Sequence, residues 1–171
     1  MPTAGKDLFV SYCQKHLLWC GNFSTVDFVK ELAAIAGWDG TKTPKNREFL
    51  SNLKDLLTVW NDVPYKDIER KINLYKNEAL SYDFSEDDIL CFIHCREPEE
   101  ITRFEKDMGA KSLLIRRPGI ENNEQSNHAD SDVFFHVYDY KIMNDGTKEE
   151  LEQKAIEFLK ELGYTRFRPQ K

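Results

Sequence analysis

Apolar residues recur at helical spacing through the first half of the chain and give way to short continuous apolar runs in the second. Asp7 to His16 reads as a helix, and Leu17-Leu18-Trp19-Cys20 after it is a short apolar stretch that could be a strand. Ser24 or Thr25 then caps a helix carrying Val26, Val29, Leu32, Ala33 and Ala36, which Gly37-Trp38-Asp39-Gly40 breaks. A second helix follows Pro44, with Phe49, Leu53, Leu56, Leu57 and Trp60 at offsets 0, 4, 7, 8 and 11. Asp62-Val63-Pro64 interrupts it, and a third helix carries Ile68, Ile72, Tyr75 and Ala79. Residues 24–82 therefore form a helical block.

The pattern then changes. Ile89-Leu90-Cys91-Phe92-Ile93 is a continuous apolar run, as expected of a strand covered on both faces. Pro98 suits the first turn of a helix that holds Ile101, Phe104 and Met108 and ends at Gly109. Ser112 to Ile115 is another short strand, and Val133 to Ile142 a last one. Between them runs a polar stretch. Thr147 to Glu150 is a capping box for a final helix with Leu151, Ala155, Phe158, Leu159 and Leu162 on its buried stripe. Strands alternating with helices predict an α/β domain, a parallel sheet with helices on both faces.

In such a sheet, ligands bind beyond the carboxyl ends of the strands. Gly5-Lys6 opening a helix, Arg96 just after a strand, and Arg116-Arg117 ending another would converge there. Gly5 and Lys6 also supply the second half of a phosphate loop, G-x-x-x-x-G-K-[ST], with Asp7 where the hydroxyl residue belongs. The first glycine would fall one residue before Met1.

Composition narrows the partners. The chain has 171 residues, and 24 basic against 30 acidic side chains leave a net charge of −6. That argues against a general nucleic-acid binder and against an anionic-membrane binder, both of which need a basic surface. No apolar run approaches the ~20 residues of a membrane span, so a cytoplasmic protein is expected. Cys91-x-x-x-Cys95 around His94 lacks a second Cys/His pair at zinc spacing. The four cysteines are read as buried free thiols.

Taken in order and spacing, these motifs resemble the P-loop nucleotide kinases, in particular the branch of deoxynucleoside monophosphate kinases and phosphomevalonate kinases. The branch typically reads S-G-K-D, matching Gly5-Lys6-Asp7 here. Cys91 to Arg96 followed by Glu99 to Ala110 resembles its strand, arginine and helix. Asn127-His128-Ala129-Asp130 resembles the far end of its lid, and Asn144-Asp145-Gly146-Thr147 its last turn.

The resemblance implies a single three-layer P-loop domain over 1–171 that uses ATP and Mg²⁺ to phosphorylate a small phosphorylated acceptor, a (deoxy)nucleoside monophosphate above all. Lys6, with the amides around Gly5, would hold the phosphates, and Asp7 the metal. Asn144, Gly146 and Thr147 would lie beside the adenine. Asp27, Arg47 and Lys54 in the helical block would contact the acceptor. Residues 118–132 would form a lid bringing Arg116 and Arg117 onto the phosphates, with Arg96 bridging donor and acceptor. Two departures stand out. His94 replaces an acid of the branch, leaving Asp7, helped by Glu97, to carry the metal. The first strand is also missing. Its loss would leave buried backbone groups unpaired at ~1–3 kcal/mol each, against a total stability of ~5–15 kcal/mol. The natural chain is therefore expected to begin upstream of Met1.

Other readings remain beside this one. The scaffold could bind a nucleotide without catalysis or serve as an interaction module, or the acceptor could be a non-nucleotide phosphate such as phosphomevalonate. Oligomeric state is open. Asp27, Arg47 and Lys54 also fit as polar faces of amphipathic helices, Trp38 and Trp60 as core or hinge packing, and His94 and His136 as structural histidines.

Overall fold

A left-handed glycine, Gly5, starts the first helix, α1 (Lys6–His16). It is followed by β1 (Trp19–Ser24), α2 (Asp27–Ile35), α3 (Pro44–Asn61), α4 (Val63–Ser81), a 3₁₀ turn at Glu86–Asp88, β2 (Ile89–His94), α5 (Pro98–Met108), β3 (Leu113–Arg116), β4 (Tyr140–Met143) and α6 (Lys148–Glu161). This computed structural model describes residues 5–95, 97–118 and 136–164. The fold is mixed α/β. Among the described residues the strands form two separate two-stranded sheets, β1–β2 and β3–β4, where one continuous sheet was expected.

The helix ends follow local chemistry. Thr43 caps α3 by accepting the Asn46 N–H at 3.2 Å, with Pro44 in the first turn. Asp62, at φ 54°, stops α3 and starts α4 in a single left-handed residue. Gly109, at φ 64°, ends α5. The predicted capping box at α6 is present in both directions: Glu150 N–H to Thr147 Oγ1 at 3.2 Å, and Thr147 N–H to Glu150 Oε2 at 2.6 Å. At α2 the cap differs from expectation. The helix begins at Asp27, whose carboxylate accepts the Ser24 N–H at 2.9 Å, and neither Ser24 nor Thr25 is its N-cap.

The chain divides into two compact units, Met1–Cys20 with Cys95–Lys171, and Gly21–His94. In the first, α1 packs on α6. Phe9, Val10, Cys13 and Leu17 are buried, as are Leu151, Ala155, Phe158 and Leu159. The Phe158 ring stands edge-on to Phe9 at 5.6 Å and to Tyr140 at 5.3 Å, which joins α1, α6 and β4 in one aromatic core. At the margin Glu152 accepts from Lys15 at 2.6 Å and pairs with His16 at 2.9 Å. Ile101, Leu114 and Tyr138 form a second cluster.

β3 and β4 run parallel, with Leu113 opposite Tyr140 and Arg116 opposite Met143. Among the described residues the last strand begins at Tyr140, later than the Val133–Ile142 reading, and residues 119–135 lie outside the described residues. Just before it Asp139 replaces the ladder with a side-chain clasp. Its carboxylate takes the Ser112 N–H at 2.8 Å, and its own N–H reaches Ser112 Oγ at 3.2 Å. His136 is a paired structural histidine, 3.1 Å from Glu105.

The second unit holds the 24–82 block together with β2. Val29 and Ala33 of α2, Ile68, Ile72 and Ala79 of α4, and Ile89 of β2 are buried. Asp67 is buried and paired with Arg70 and Lys71, each at 2.7 Å. Burial works against a charged Lys71, but Asp67 and the nearby Glu31 and Asp27 outweigh it and hold its ammonium above the ordinary range. The stripe of α3 corrects the sequence reading. Phe49 is 40% exposed, Leu56 65% and Trp60 74%, while the one buried residue of the helix is Lys54. Trp60 is not core.

Replacing Phe158 by Ala removes the ring shared by three elements and is expected to cost ~3–5 kcal/mol, measured by denaturant unfolding. The hydrogen bonds from Lys15 and His16 hold the Glu152 carboxyl below its ordinary value of 4.5. A depressed acid stabilises the fold above its unfolded pKa and loses that contribution as pH falls through the folded one. Melting curves of wild type and Glu152→Gln should therefore differ above pH 4.5 and converge below it.

Candidate functional site

Gly5 is buried and sits at φ 86°, where an L side chain is strained. A Cβ there would also run into the side-chain amide of Asn144 and come within 3.6 Å of Leu151. The α1 start is thus pressed onto the residue that follows β4. Asn144 is itself buried, and its backbone N–H donates to the carbonyl of Arg116, the last residue of β3, at 2.7 Å. Three residues predicted to form the site from the sequence, Gly5, Arg116 and Asn144, meet at the carboxyl ends of two parallel strands.

The first turn of α1 leaves amides without intrahelical acceptors, and its N-cap, Gly5, has no side chain to cap them. Lys6, half-buried, and Asp7, exposed, lie in that turn. Arg116 is half-buried and Arg117 exposed beyond it. The turn after β4 is held by a residue that sequence reasoning missed. Lys154 of α6 donates to the Met143 carbonyl at 2.6 Å and to Asp145 at 2.8 Å. That hydrogen bond lowers the Asp145 pKa from its ordinary value. An Asp and a Lys nine positions apart carry no helical signal, so only the folded turn reveals the pair.

Gly146 and Thr147, predicted beside an adenine, have a visible local role. Thr147 is the N-cap of α6, and a Cβ at Gly146 would collide with the Glu150 carboxylate that reaches back to it. Their neighbourhood supplies α6's N-terminus close to the same strand ends.

The predicted acceptor residues lie in the second unit. Asp27 is occupied by the Ser24 amide, Arg47 is exposed, and Lys54 is buried rather than on a solvated face. His94 ends β2, and its carbonyl accepts the Thr25 N–H at 3.2 Å. Arg96 and residues 119–132 of the expected lid lie outside the described residues.

The cysteines are free thiols. Burial pushes Cys13 up to about 12 and Cys91 to about 11, so both remain protonated near neutrality. Among the described residues no three His, Cys, Asp or Glu side chains gather as a metal cluster, and no helix is long and apolar enough to cross a membrane.

Gly5→Ala is expected to cost ~1–3 kcal/mol from backbone strain alone. Contact with Asn144 adds to that, so the cost should be smaller in an Asn144→Ala background. A double-mutant cycle by thermal or denaturant unfolding checks this; additive effects would show that the two residues do not press on each other.

Comparisons with protein-family models, with curated proteins and with solved structures each return no match.

Proposed function

We propose that this chain binds a nucleoside triphosphate at the start of α1 and transfers its γ-phosphoryl group to a small phosphorylated acceptor, a (deoxy)nucleoside monophosphate first of all. The observation that carries this reading is the contact of left-handed Gly5 with Asn144, whose N–H is bound to Arg116. It brings a helix start whose N-cap is a glycine to the carboxyl ends of parallel strands, where α/β proteins bind phosphorylated ligands.

Phosphoryl transfer proceeds through a loose transition state, so neutralisation and in-line positioning carry most of the catalysis. In this reading Lys6 and the first amides of α1 bind the β- and γ-phosphates. Arg116 and Arg117, with Arg96, take up the remaining charge. Asp7 is the oxygen donor suited to Mg²⁺, which needs only one or two carboxylates when phosphates and waters complete its shell. Bound there, the ion supplies charge neutralisation on the phosphate oxygens. Asn144 and the turn to Thr147 flank the base. The helical block with Asp27, Arg47 and Lys54 takes the acceptor. The finer architecture proposed is the three-layer P-loop arrangement.

Mg-ATP at about 100 times its dissociation constant should stabilise the chain by ~2.7 kcal/mol. In a chain of this size that raises the melting temperature by roughly 5–10 °C. Lys6→Ala should abolish the shift, read against the melting temperature of the ligand-free variant. An acceptor panel with an ATP-consumption readout then tests the reaction. Turnover with nucleoside monophosphates supports the proposal, turnover with phosphomevalonate alone reassigns the acceptor, and a shift without turnover marks a nucleotide-binding protein. Absence of any shift at millimolar Mg-ATP would sink the phosphate-site reading.

A further inference from the structure

α3 carries two apolar stripes, and its own unit covers only one. The helix packs on α2 and α4 with Leu50 and Leu57 half-buried beside the buried Lys54. The second stripe runs Phe49, Leu53, Leu56, Trp60, with Val59 alongside. Leu53 is half-buried, but Phe49 is 40% exposed, Leu56 65%, Trp60 74% and Val59 87%. The intervals 4, 3 and 4 follow the 3.5-residue period of a seam that another helix covers along its length.

We infer that this seam is covered by α3 of a second copy of the chain, in an antiparallel two-fold dimer. The spacing is the same read in either direction. A two-fold axis between Lys54 and Asp55 sets Phe49 of each helix opposite Trp60 of the other, and Leu53 opposite Leu56. A self-complementary patch is what an isologous contact requires. Facing aromatics at both ends and branched aliphatics in the middle fill such a contact evenly.

Charge favours the same pairing. The first turn of α3 holds Lys45 and Arg47 and no acid, and its last turn holds no base. This is the reverse of what the helix's own dipole favours. Antiparallel pairing lays each basic start beside the negative dipole end of the other helix, where Asp62 also sits. Glu48, the residue after Arg47, falls opposite the uncharged Asn61. An anionic lipid surface suits the seam poorly, because the chain carries a net charge of −6.

The test is sedimentation or light scattering of the full chain over a concentration series up to about 1 mM. The wild type should pass from monomer to dimer within the series. Leu56→Asp should remain monomeric throughout, with an unchanged circular-dichroism spectrum and melting temperature at low concentration. Trp60→Glu, at a second exposed seam position, should do the same and serves if Leu56→Asp misfolds. Ser51→Asp, on the same helix outside the seam, should dimerise like wild type. A wild type that stays monomeric overturns the inference, whatever other partner the face may accept. A wild-type dimer that survives both seam substitutions overturns it as well. The outcome is independent of nucleotide binding, which is read in the separate Mg-ATP melting experiment.

Discussion

Gly5 must be glycine twice over: for its left-handed backbone and for the side-chain amide of Asn144 pressed against it. Because Asn144 is buried and tied by its N–H to the Arg116 carbonyl, this one contact connects the start of α1, the end of β3 and the exit of β4. The rest of the first unit serves to hold it. Phe158 wedges between Phe9 and Tyr140, which anchors α1 and α6 on β4, and Glu152 pins the far end of α1 through Lys15 and His16. Lys154 then ties the turn after β4 to α6. The phosphate-binding role proposed for the α1 start would draw on that mechanical support, because amides and cations gain most when they are fixed before the ligand arrives.

The second unit uses its charges differently. Asp67 is removed from water but satisfied by two cations, and Lys71 also faces Glu31, so the network joins α2 to α4. A buried pair of this kind specifies an arrangement more than it stabilises one. Lys54 is buried within the same helical unit while the neighbouring apolar stripe is exposed. The helix turns a lysine inward and a tryptophan outward, so burial along it does not follow hydrophobicity alone.

Much of the element order was legible in the sequence because local signals set it. Pro44 and Pro98 in first turns, Gly109 as a left-handed stop, and the Thr147–Glu150 capping box act within one helical turn and survive any tertiary context. The start of β4 was not legible, since the Asp139–Ser112 clasp that replaces the ladder joins residues 27 positions apart. The position of α2's start was missed for a smaller reason: Val26, which has no capping oxygen, is its N-cap, while the Asp27 carboxylate reaches back to accept the Ser24 N–H.

The sequence by itself determined an α/β chain, its helices and the capping box of α6, and the residue types available at Gly5-Lys6-Asp7 and after β4. Periodicity reports that a face is apolar but not what covers it, so only the tertiary structure decided that α3 buries Lys54 and exposes Phe49, Leu56 and Trp60. It also decided that, among the described residues, the strands form two separate pairs. Spacing along the chain cannot measure distance through space. That is why the meeting of Gly5 with Asn144, 139 positions away, and the clamp from Lys154 emerged only once the chain was folded.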